Sequence, residues 1–211
     1  MKRLLVIAFV LLAAPAAAGP ASDLIMAPGV LADVPAGPVF RYDHARHMPA
    51  PPAVDPMPAD AAPRPRPLKA GSLIVTAQDS AGERRLVLTR TEDGRTLPVA
   101  DFPARGPNPV LLYFLENTLR VLAAETGGSP FYLRNRIREA LAAAPLPAQG
   151  TALVLHPFAA DRNRARMGVY ASLALTIAFD AARPGRIVEL KADTDAGPQG
   201  YTETLTLIAE E

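Results

Sequence analysis

From residue 70 onward, β-rich runs give way to helical periodicity and then return. "SLIVTAQ" (72–78), "RRLVLTRT" (84–91) and "RTLPV" (95–99) are rich in β-branched and apolar residues and predict strands. Asp93-Gly94 falls between the last two of these. It predicts a two-residue hairpin turn, because both turn positions need positive φ. The three runs read as a meander.

The period then changes. Asn108-Pro109 supplies an N-cap and a pre-set first helical residue, and "VLLYFLENTLRVLAAET" continues to Gly127-Gly128, where glycine can take the left-handed cap. Ser129-Pro130 repeats the start signal at once, and the second helix is predicted to stop near Ala144, before Pro145 and Pro147. So short a link predicts a helical hairpin. Residues 110–115 are apolar on every side, so the opening turns of the first helix are expected to be buried.

Strand patterns resume in "TALVLHPF" (151–158), "VYASLALTIAF" (169–179), "RIVELKAD" (186–193) and "YTETLTLIAEE" (201–211). In the second of these Leu173, Leu175 and Ile177 alternate with Ala174, Thr176 and Ala178. About seven strands with a central two-helix hairpin packed on them make an α+β fold. No strand–helix–strand alternation supports a parallel sheet, so an antiparallel one is expected.

The first 69 residues differ in kind. "MKRLLVIAFVLLAAPAAAGPASD" combines Lys2 and Arg3, an apolar run from Leu4 to Ala14 and the small residues Ala16 to Ala18. That layout predicts a secretory signal over 1–18, cleaved after Ala18, and hence an exported protein, periplasmic or secreted. The apolar run would reach only about 16 Å as a helix, against roughly 30 Å for a hydrocarbon core, so no membrane span is expected after cleavage. Between Pro20 and Pro67 lie 12 of the chain's 23 prolines, which predicts a mostly extended arm over 19–69. A short strand at Val39–Tyr42 that joins the domain also fits the pattern. Residues 70–211 are expected to form a single domain.

The chain has no cysteine, which removes disulfides, thiolate metal sites and cysteine nucleophiles. Loss of the leader leaves 20 basic against 21 acidic residues, a balance that predicts no nucleic-acid binding. Charge is uneven locally, however. On a wheel of the second helix, Leu133, Ile137, Ala140 and Leu141 form one stripe, with Arg134 and Arg138 on one shoulder and Arg136 on the other. "DRNRARMG" places Arg162, Arg164 and Arg166 on one side if it is extended.

Residues 134–166 thus carry a net +4, and 186–211 a net −4. The first expectation is that the two regions meet in internal arginine–carboxylate pairs. The alternative is an exposed anion pocket built by Arg134 and Arg138 with Arg162, Arg164 or Arg166.

Other candidate chemistry is sparse. His44 and His47, with Met48, Met57 and Met26 nearby, could suit copper. His156, at a strand end, is a candidate base for an envelope-polymer hydrolase, although no GxSxG elbow accompanies it. Asp193, Asp195 and Glu203 lie near two glycines but lack the register of a calcium loop. No cofactor is expected.

The leading expectation is an exported, non-catalytic binding or interaction protein. Its partner would be an envelope component or a small acidic or amphipathic ligand. Such a ligand would sit between hairpin and sheet, against Phe114 or Phe131 and the small strand residues Ala174 and Ala178, with Arg134 and Arg138 fixing its acidic group.

Overall fold

Residues 20–50, 65–145, 152–180, 182–183 and 186–210 are described by the computed structural model. The leader at 1–18, its cleavage site and most of the Pro49–Pro67 stretch lie outside the described residues. The strands are β1 (Gly37–His47), β2 (Leu68–Ser80), β3 (Glu83–Glu92), β4 (Arg95–Pro103), β5 (Leu153–Leu155), β6 (Ala174–Phe179), β7 (Ile187–Asp193) and β8 (Thr202–Glu210). They form one sheet in the order β4-β3-β2-β1-β8-β7-β6-β5, with every neighbouring pair antiparallel. The α+β architecture is therefore the one the periodicity predicts, with eight strands in place of about seven.

The additional strand is β1, which includes the short strand expected at Val39–Tyr42 and extends it to Gly37–His47, so this part of 19–69 belongs to the sheet and not to an arm. It lies near the middle of the sheet, between β2 and β8, with Phe40, Tyr42 and His44 buried on one face. His44 and Arg46 continue the inward phase of Phe40 and Tyr42 with polar side chains, which breaks the apolar alternation a strand reading depends on. The preceding helix α1 (Pro20–Ile25) also belongs to the domain, since Ala21, Ile25 and Leu31 are in its core. Arg84 of β3 donates to the Val34 carbonyl, fastening this segment from the other side.

Two tight turns shape the first meander. Ala81-Gly82 and Asp93-Gly94 each have both residues at positive φ, as hairpin turns of this length require. The turn at 93–94 is the one the sequence announces.

The edge strands β4 and β5 are joined by helices α2 (Pro109–Thr126) and α3 (Pro130–Ala143). Asn108 accepts the Val110 amide at 2.9 Å, and Gly127 ends α2 with φ 64°, so both predicted caps are present. α2 packs against β3 and β7, burying Val110, Leu111, Phe114, Val121 and Leu122. Facing them are Leu73, Val75, Leu86, Leu88, Leu175, Ile177 and Leu190. Each such apolar side chain contributes about 1.5–3 kcal/mol on burial, so this helix–sheet layer is a substantial stabilising contact.

Residues 164–172 depart from expectation. Arg164–Arg166 and Gly168–Ser172 are 3-10 turns, and β6 starts only at Ala174. Ser172 donates through its hydroxyl to the Val169 carbonyl at 2.9 Å, a local bond that competes with strand pairing. Tyr170 turns into the core instead of alternating along a strand.

Candidate functional site

α3 packs along α2, and α1 packs against α3. Between the three helices runs a groove of about 660 Å³. That lies within the roughly 300–1,000 Å³ of small-molecule sites. Its apolar surface comes from Met26, Leu112, Leu115, Leu119, Ile137 and Leu141, and its polar rim from Glu116, Arg134, Arg138 and Glu139.

The sequence produces the groove because α2 is apolar on more than the face it gives the sheet. Leu112, Leu115 and Leu119, spaced three and four apart, form a second stripe beside the one buried by Leu111, Phe114 and Leu122. α3 meets it with Leu133, Ile137 and Leu141, while Arg134 and Arg138 stand one turn apart on the shoulder.

The rim carboxylates are already engaged. Arg134 Nη2 is 3.5 Å from Glu116 Oε2, the other oxygen of Glu116 is 3.4 Å from Arg120 Nε, and Glu139 is 2.7 Å from Arg136 Nη1. Arg138 has no ion pair among the described residues and is exposed. Pairs this exposed contribute no more than about 1 kcal/mol each, so they order the rim weakly. They still leave Arg138 as its uncompensated positive charge.

The other arginines do not join this pair. Arg166 lines a separate hollow of about 330 Å³ with Gly128, Ser129, Tyr132 and Asn163. Arg164 Nε donates to the Ala171 carbonyl at 3.3 Å, and Arg162 is exposed. The coiled 3-10 path of 164–166 removes the one-sided display that an extended chain would give.

What fixes this loop is Asp161. Tyr132 donates to its two carboxylate oxygens at 2.8 and 2.7 Å, the Asn163 amide donates at 2.7 Å, and Arg136 Nε lies 3.2 Å away.

Nor do the two oppositely charged regions neutralise each other among the described residues. Arg134 and Arg136 find Glu116, Glu139 and Asp161, all nearby in the helical hairpin or the loop after β5. In the C-terminal region Lys191 takes Asp193 at 2.6 Å. Glu203 is taken by β1.

Glu203 is fully buried, with His44 Nε2 at 2.7 Å and Arg46 Nη2 at 2.8 Å from its Oε1. Tyr201 donates to Oε2 at 2.6 Å. Burial would raise this carboxyl, but the hydrogen bonds from His44 and Arg46 and the Arg46 charge outweigh it and hold it at about 2. Burial pushes the Tyr201 hydroxyl well above its ordinary range, and the adjacent Glu203 charge adds to this. The Tyr113 ring of α2 stands edge-on to His44, with centroids 5.8 Å apart, closing the cluster from the helix side. With His44 and Glu203 both sealed from solvent, the arrangement holds β1 to β8 and offers no opening for a substrate.

Several expectations are corrected. His44 and His47 do not converge on a shared position. They face opposite sides of β1, His44 toward Glu203 and His47 toward the Pro198 carbonyl at 3.0 Å, because positions three apart in a strand point apart. Asp193, Asp195 and Glu203 do not converge, and no cluster of three or more metal-ligating carboxylates or imidazoles occurs among the described residues.

His156 is exposed just after β5. Its carbonyl accepts the Ala159 amide, and no hydrogen bond or ion pair engages its ring among the described residues.

The layer between hairpin and sheet is lined by buried side chains. Phe114 is fully buried within it, whereas Phe131 is 74% exposed outside it. Ala174 and Ala178 alternate with Leu175 and Ile177, which are the core-facing pair, so the alanines lie on the opposite face of β6. Of the predicted site residues, Arg134 and Arg138 share a concavity. Leu112, Leu115, Glu116 and Met26, none of which the sequence reading gave to this ligand, complete it.

No protein-family model matches the chain, and no curated protein matches it.

Proposed function

We propose that this chain is an exported, non-catalytic binding protein whose ligand is a small amphipathic anion held in the α1–α2–α3 groove. Export rests on the leader pattern at 1–18. No helix among the described residues is long and apolar enough to cross a membrane.

The observation that carries the binding reading is the combination of an apolar groove with Arg138, a guanidinium on its rim that no carboxylate of the described residues neutralises. An apolar tail would cover Leu112, Leu115, Ile137 and Leu141, while the head meets Arg138 in a charge-assisted hydrogen bond. The groove's size favours a small molecule over a protein partner, which needs about 800 Å² of surface on each side.

The test is calorimetric titration of the purified protein with dodecanoate, kept below its micelle concentration. Saturable one-to-one binding that is weakened by both Leu115→Arg and Arg138→Glu is expected. Absence of saturable binding, or binding indifferent to both substitutions, would remove the proposal.

A further inference from the structure

Resting on that reading, we infer that Glu116 sets the charge of the head group, so that the groove takes a long-chain carboxylate monoanion in preference to a dianion such as an alkyl phosphate. Arg134 and Arg138 are one helical turn apart on the same shoulder of α3, a spacing that would let two guanidinium groups clamp two negative charges. Glu116 opposes this. From α2 it reaches across to Arg134 at 3.5 Å, and its other carboxylate oxygen is braced by Arg120 at 3.4 Å.

Four groups therefore form the polar rim with distinct roles. Glu139 is drawn away by Arg136 at 2.7 Å, Arg134 faces Glu116, whose single charge is shared with Arg120, and Arg138 alone has no carboxylate partner among the described residues. A carboxylate brings one charge to one guanidinium. A dianion would bring a second charge beside the Glu116 carboxylate, where repulsion disfavours it.

The experiment compares dodecanoate with dodecyl phosphate, at pH 8 where the phosphate is doubly ionised, against the full protein and its Glu116→Gln variant. Glutamine keeps the shape of the half-exposed Glu116 side chain, and thermal unfolding of both proteins checks that the fold is retained. The unaltered protein is expected to prefer dodecanoate. Glu116→Gln is expected to raise affinity for dodecyl phosphate about fivefold, the scale of one exposed ion pair, with a smaller change for dodecanoate. Arg138→Gln is expected to weaken both.

If both ligands bind and Glu116→Gln leaves their affinity ratio unchanged, the inference is overturned while the binding reading stands. If neither ligand binds either protein, the binding reading itself fails.

Discussion

His44 and Glu203, 159 positions apart in the chain, meet at 2.7 Å inside the sheet. The contact joins the first strand to the last, and every other strand lies to one side or the other of that seam. Deleting residues 37–47 is therefore expected to abolish cooperative unfolding and near-ultraviolet circular dichroism. A deletion variant that still melted cooperatively would mean that β1 is dispensable.

Point substitution at the seam tests its energetics. Glu203→Gln leaves Arg46 and His44 without their shared carboxylate in a nearly sealed site. Breaking a buried ion pair from one side costs about 3–5 kcal/mol, so urea unfolding at neutral pH should register a loss on that scale.

The same carboxylate predicts acid sensitivity. Glu203 is held at about 2 against an ordinary 4.5, so between those values the unfolded chain binds more protons than the folded one. The stabilisation is complete above pH 4.5 and is lost as pH falls through about 2. It amounts to something on the order of 3 kcal/mol. Denaturation midpoints measured from pH 6 to pH 2 should fall less steeply in Glu203→Gln, and an unaltered slope would contradict the assignment.

Asp161 governs the loop after β5. Its side chain is fully buried and receives Tyr132, the Asn163 amide and Arg136. Asp161→Ala should destabilise by about 3 kcal/mol, because two donors and the neighbouring Arg136 charge lose a buried carboxylate, whereas Tyr132→Phe should lose about 1 kcal/mol. Equal effects from the two substitutions would show that the phenol bonds, and not the carboxylate as a hub, hold the loop.

Export is open to direct measurement. Full-length protein produced with a C-terminal tag is expected in the exported fraction, shortened by the 18 residues of the leader. Intact protein retained in the cytoplasm would refute the compartment and leave the groove chemistry to stand alone.

The helical hairpin was legible in the sequence because its signals are local: Asn108-Pro109 at the start of α2, Gly127 at its end and Pro130 opening α3. The Asp93-Gly94 turn was legible for the same reason. β1 was legible only as the short strand Val39–Tyr42, and its continuation was obscured because His44 and Arg46 occupy inward positions and their compensation by Glu203 lies at the far end of the chain. One sign was present in Glu203 itself, which shares the phase of Leu205 and so falls on the apolar face of β8. Half of the candidate site was visible in Arg134 and Arg138. Met26 was not, since it belongs to a segment whose proline content reads as an arm.

The sequence by itself determined which stretches are strands and which are helices over most of the domain, because caps, turns and periodicity act within a few residues. It also determined that Arg134 and Arg138 share a face. Tertiary structure alone decided which arginines meet which carboxylates: electrostatic pairing depends on distance in space, and 3-10 coiling at 164–166 with a helix–helix approach at Glu116 set those distances.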